Sequence, residues 1–104
     1  MKKIPSKITI GGHDIEIRNV NRCDNNALGE CHLIEGYIEI ADTFYKEQKQ
    51  SESSKLNTFY HELTHCILQT MGEQELGANE KFVCCFAGFL TEALRNAEYE
   101  KKEK

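Results

Sequence analysis

Near residue 50 the apolar residues change their spacing, and that change constrains the fold more than any other feature of the chain. Before it they alternate. Ile8 and Ile10, then Ile15 and Ile17, fall on one face of Lys7 to Ile10 and His13 to Val20, with Gly11-Gly12 between them as a hairpin turn signal. Asn19 to Gly29 is polar and reads as a loop. Glu30 to Ile34 and Tyr37 to Ile40 form a second alternating pair broken at Glu35-Gly36. From Ser53 to Met71 the period becomes helical, with Leu56, Phe59, Tyr60, Leu63, Ile67, Thr70 and Met71 on one face, a serine as cap and Gly72 as stop. Glu73 to Ala78 is a turn. Asn79 to Tyr99 is a second helix with Phe82, Phe86, Phe89, Leu90, Ala93, Leu94 and Ala97 on its apolar side, its aromatic residues being core. Ala41 to Ser51 fits either a loop or a short helix around Phe44 to Gln48.

These elements predict an α+β fold: a small antiparallel sheet of about four strands followed by two helices. All 104 residues belong to one domain, with 1–50 mainly sheet, 51–72 the first helix, 79–99 the second and 100–104 a frayed tail. Hydrophobic residues make up 39% and charged residues 29%, so the core is thin. The 13 basic residues face 17 acidic ones without a basic stripe, which argues against a nucleic-acid partner. There is no apolar run of membrane-spanning length and no secretory leader pattern, so the expected location is the cytoplasm. Five cysteines, an odd number with no C-x-x-C, disfavour a disulfide framework and predict reduced, mostly buried thiols.

On the first helix, His61-Glu62-Leu63-Thr64-His65 carries the chemistry. Histidines four apart on a helix are offset by roughly 6 Å of rise and about 40° of rotation, so both imidazoles face one way and one divalent ion can accept a nitrogen from each. The glutamate between them is suited to holding and deprotonating a water, which is the metallopeptidase use of H-E-x-x-H. A catalytic zinc takes three protein ligands. Beyond His65 the chain has no histidine or aspartate, leaving, ahead of the tail, Glu73, Glu75, Glu80, Glu92, Glu98 or a cysteine. Glu80 needs only an antiparallel helix pair joined by a short turn, and it stands where the helix dipole favours a carboxylate. The metzincin extension is excluded, since Leu68 and Met71 occupy its glycine and histidine places.

Thr58 to Leu90, "TFYHELTHCILQTMGEQELGANEKFVCCFAGFL", resembles the HExxH-plus-Glu metallopeptidases (gluzincin-like), in particular the ImmA/IrrE-like proteins of phages and bacterial mobile elements and the smaller minigluzincins. Their third-ligand helix reads roughly E-x-x-[A/V]-x-x-[F/L]-A-x-x-L, matched here by Glu80, Val83, Phe86, Ala87 and Leu90. "GECHLIEGYIEIAD" is similar to the strand pair before the family's active-site helix. By that resemblance Tyr37 to Ile40 borders the cleft and pairs with an extended substrate. The resemblance covers about two-thirds of the chain. Thr64 departs from the usual small residue, and the sensing or DNA-binding domain of larger members is not identified. It implies zinc-dependent peptide hydrolysis, with His61, His65 and Glu80 as ligands and Glu62 as general base. The implied partner is a peptide or protein substrate, a repressor-type regulator among the candidates. Tyr99, Arg95, Tyr60 and Tyr37 are open choices for the second oxyanion donor. The alternative is a zinc-binding, non-catalytic interaction or anti-repressor module on the same scaffold. Oligomeric state is not legible.

Overall fold

The computed structural model describes residues 4–100. Its strands are β1 (Lys7–Ile10), β2 (His13–Val20), β3 (Gly29–His32), β4 (Tyr37–Ala41), β5 (Thr43–Phe44) and β6 (Gln48–Lys49). Its helices are α1 (Glu52–Met71), α2 (Gln74–Gly77) and α3 (Glu80–Arg95). A four-stranded sheet followed by helices is therefore the architecture, as expected for the α+β class. Most of the tail, 101–104, lies outside the described residues.

The strand order is β1-β2-β4-β3. Both hairpins are antiparallel, but β2 and β4 pair in parallel, so the sheet is mixed rather than antiparallel throughout. The polar loop after β2 explains this. It carries the chain across one strand width before β3 returns, and β4 then fills the vacated place, running alongside β2. The correction changes the edge of the sheet. Tyr37 to Ile40 lies in the centre, bonded on both sides, and β3 holds the outer position expected of it.

The inner face of the sheet presents Ile15, Ile17, Ile38 and Ile40, all buried, to Phe59 and Cys66 of α1. The outer face carries Glu16, Arg18, Glu30, His32, Tyr37 and Glu39 at alternating positions. The segment from Ala41 to Ser51, where a loop or short helix was expected, is a two-stranded ribbon with a tight turn at Tyr45–Glu47. Lys46 and Glu47 take positive φ there, a conformation usually signalled by glycine or asparagine, so the sequence carries no hairpin signal at that point.

Helix α1 starts at a cap in which Ser54 N donates to Ser51 Oγ at 3.1 Å and ends at Gly72 in the left-handed region. It lies between the sheet on one side and α3 on the other, which explains its unusual burial of Thr58, Glu62 and Thr64 beside Leu56, Phe59, Cys66 and Leu68. Buried Gln50 fixes the start of the helix. Its Nε2 donates to Ala41 O at 2.6 Å, and its Oε1 accepts from Thr58 Oγ1 at 2.6 Å and Ser54 Oγ at 2.8 Å.

Helix α3 forms the outermost layer and buries only Val83, Ala87 and Thr91, spaced four apart against α1. Thr91 Oγ1 donates to Ala87 O at 2.6 Å and lies 3.2 Å from Asn57 Oδ1 of α1. The expected aromatic core stripe is thus not core. Phe86 and Phe89 are 47% and 71% exposed, and Phe82 stacks on Phe86 at the flank. A helix with one main neighbour buries a narrow stripe, and small residues occupy it because they allow close approach. On α1, Ile67 and Met71 are likewise exposed.

Candidate functional site

The N-terminus of α3 meets the middle of α1. A one-turn helix, α2, makes the connection where a turn was expected, and it sets α3 against α1 with Glu80 in the first turn of α3. Asn79 caps α3 by accepting from Phe82 N at 3.0 Å, which fixes the direction in which Glu80 leaves the backbone.

His61 Nε2 lies 3.4 Å from Glu80 Oε1, and His65 Nε2 lies 3.4 Å from Glu80 Oε2. The two imidazoles are 5.0 Å apart between ring centres, inclined at 67°. These separations are long for hydrogen bonds. Each is also compatible with two donors on one ion, since two ligands with bonds of about 2.0–2.1 Å stand roughly 3.3–3.4 Å apart. Among the described residues, His61, His65 and Glu80 form one group able to hold a metal ion. The other acids weighed for the third position, Glu73, Glu75, Glu92 and Glu98, do not join it. The histidines are partly buried and the Glu80 side chain is 65% exposed, so the group opens to solvent on the glutamate side.

Electrostatics favour the protonation states such a group needs. Burial lowers the His61 pKa, and neighbouring His65 lowers it further against the opposing pull of Glu80, so the imidazole is neutral at neutral pH. Glu62 is buried on the sheet side of α1, 9% exposed. Loss of solvation pushes its carboxyl up to about 7, with the charges of Glu80 and Glu30 adding to the effect and His32 opposing it. A carboxyl titrating near neutrality both takes and returns a proton at little cost.

Strand β3 passes beneath this side chain. A Cβ on Gly29 would come within 2.5 Å of Thr58 Cγ2, 2.9 Å of the Glu39 carbonyl and 3.2 Å of Glu62 Cγ, so only glycine fits there. Cys31 follows on the same face and is bonded to Cys66 of α1. That disulfide corrects the expectation of reduced thiols throughout. Of the rest, Cys23 is buried, its thiol pushed up to about 11 chiefly by loss of solvation, whereas Cys84 and Cys85 are exposed rather than buried. Cys84 Sγ lies 3.9 Å from His61 Nδ1, on the side of the ring away from Glu80.

A second group with ligating side chains, Glu30, His32 and Glu39, sits on the outer face of β3 and β4. No motif in the sequence marks this group. Its only signal is register: Glu30 faces Glu39 and His32 faces Tyr37 across the hairpin. The candidate oxyanion donors are scattered. Tyr37 lies between His32 and Arg18 on the outer face. Arg95 lines a cavity of about 570 Å³ beside Ile4, Ile17, Glu52 and Leu56 at the start of α1. Tyr60 packs on Phe59 at the core, where loss of solvation raises the pKa of its phenol. No described helix is long and apolar enough to cross a membrane.

Comparison with protein-family models, with curated proteins and with solved structures gives no match.

Proposed function

We propose that this protein is a zinc-dependent peptidase in which His61, His65 and Glu80 hold the metal and Glu62 is the general base. The observation that carries the reading is the convergence of His61, His65 and Glu80, whose ligating atoms lie within 4.8 Å of one another, with each imidazole 3.4 Å from a Glu80 oxygen. A bound zinc ion supplies Lewis acidity, lowering the pKa of water toward neutrality and polarising a carbonyl oxygen. Glu62, buried and poised near neutral pKa, accepts the proton of the attacking water and returns it to the leaving amine. The outer edge of β3 aligns an extended peptide through main-chain hydrogen bonds, the role resemblance had assigned to Tyr37 to Ile40. Candidate substrates include a repressor-type regulator.

One observation favours a second reading, a zinc-bearing interaction module. The aromatic flank of α3 at Phe82, Phe86 and Phe89 begins two residues from Glu80 and is largely open. Exposed aromatic residues are typical of protein contact surfaces. Metal analysis and cleavage of an unstructured protein separate the readings. One zinc per chain, with cleavage by the native form and none by Glu62→Gln, supports the peptidase. Zinc without cleavage supports the module, and absence of zinc removes both.

A further inference from the structure

The Cys31–Cys66 bond joins two elements that the peptidase reading needs in register. Thr58, Glu62 and Cys66, spaced four apart, form one row along α1, and Gly29 and Cys31 form the matching row on the inner face of β3. The strand therefore touches the row at Thr58 and Glu62 and is covalently joined to it at Cys66, one residue beyond His65. As an edge strand, β3 is hydrogen-bonded within the sheet to β4 alone. The metal-ligating group is built from α1 and α3 and draws nothing from β3.

We propose that Cys31 and Cys66 form a redox latch on this site. Oxidised, the pair holds β3 against α1 beneath Glu62; reduced, it frees the edge strand while leaving His61, His65 and Glu80 in place. The proposal rests on the peptidase reading for its consequence, since a loosened β3 aligns a peptide less well. Closure consumes a small-molecule disulfide of the glutathione type. Half-buried Cys31 is the sulfur such a reagent can reach, whereas Cys66 is fully buried. The Cys31 thiolate attacks the reagent, expels one thiolate and becomes a mixed disulfide. The Cys66 thiolate then attacks the Cys31 sulfur, forms the internal bond and expels the second thiolate. The two cysteine protons end on the two expelled thiolates, so one reagent disulfide is reduced as one protein disulfide forms.

The test compares zinc-loaded protein treated with oxidised glutathione and the same protein reduced by a phosphine. Peptide mapping should find Cys31 linked to Cys66 only in the first. Reduction should speed amide hydrogen exchange in Gly29–His32, leave zinc content unchanged, and lower kcat/KM on an unstructured peptide by about tenfold, below the roughly 100-fold that a 1 Å misplacement costs. Cys31→Ala should behave as the reduced form under both treatments. A redox response that survives in Cys31→Ala belongs to exposed Cys84 or Cys85 and overturns the latch. Equal exchange in the two states of the native protein also overturns it. Exchange reads the strand without catalysis, so the two proposals fail separately. A latch that responds in a protein that cuts nothing counts against the peptidase alone, and equal cleavage in both states counts against the latch alone.

Discussion

Two groups of histidine and glutamate side chains stand on opposite sides of β3, built from the same residue types and arranged differently. His61, His65 and Glu80 come from two helices and keep nitrogen–oxygen separations of 3.4 Å. In the group of Glu30, His32 and Glu39, His32 Nε2 sits 3.0 Å from Glu30 Oε1, a hydrogen bond, and its ring stacks on Tyr37 at 4.5 Å. The histidine of that second group already has its partners inside the protein. In the helical group, Glu80 is shared between two imidazoles at the longer distance of 3.4 Å from each. Both groups have the residue types and the proximity to hold an ion, and they differ in how closely histidine and carboxylate already pair.

The sharpest way to break this comparison is to remove one histidine from each group. His65→Ala should lower zinc affinity by well over the about 10–100-fold that loss of an outer hydrogen-bond partner costs, and abolish cleavage with it. His32→Ala should leave zinc stoichiometry at one per chain. Equal zinc loss from both variants, read by metal analysis after gel filtration, would sink the distinction. Next in size is the proton-transfer step. Glu62→Gln should reduce kcat by about 10²–10⁴ with zinc retained, while Glu30→Gln, which removes only a neighbouring charge, should change it far less.

A third prediction concerns metal-free protein and pH. The Glu62 carboxyl has an ordinary value of 4.5 and a folded value of about 7, so between these the folded state keeps a proton that the unfolded chain has released. Its contribution is fully present below pH 4.5 and is lost as pH rises through 7. Glu62→Gln should therefore raise metal-free stability at pH 8 by something of the order of 3 kcal/mol relative to its effect at pH 4, measured by denaturant unfolding. A pH-independent difference would show that this carboxyl is not desolvated.

The smallest effect concerns the aromatic flank of α3. Phe89→Ser, at a side chain 71% exposed, should change stability by no more than about 0.5 kcal/mol, because the residue is not part of the core. A loss of several kcal/mol would return the aromatic stripe to the core.

The pairing of the two helical histidines was legible because the information is local. A four-residue spacing on a helix fixes the relative direction of His61 and His65 without knowledge of the rest of the fold. Glu80 required one further step, a short antiparallel connection, and the structure supplies it through α2. The register of Glu30 and His32 was not legible, nor was the pairing of Cys31 with Cys66 across 35 residues, since both depend on which strand lies beside which. Gln50 was missed for a related reason. A polar residue between a strand and a helix looks like loop until its four partners are brought around it.

Sequence alone determined the order of sheet and helices and the helix face that carries two imidazoles, because side-chain periodicity is a property of the local backbone. Tertiary structure decided that β3 and not Tyr37 to Ile40 lies at the edge, that α3 buries alanine and valine instead of phenylalanine, and that Glu62 is shielded from water. Those outcomes turn on strand order and on how many layers cover each face. Both are settled when distant segments pack, and no window of neighbouring residues contains them.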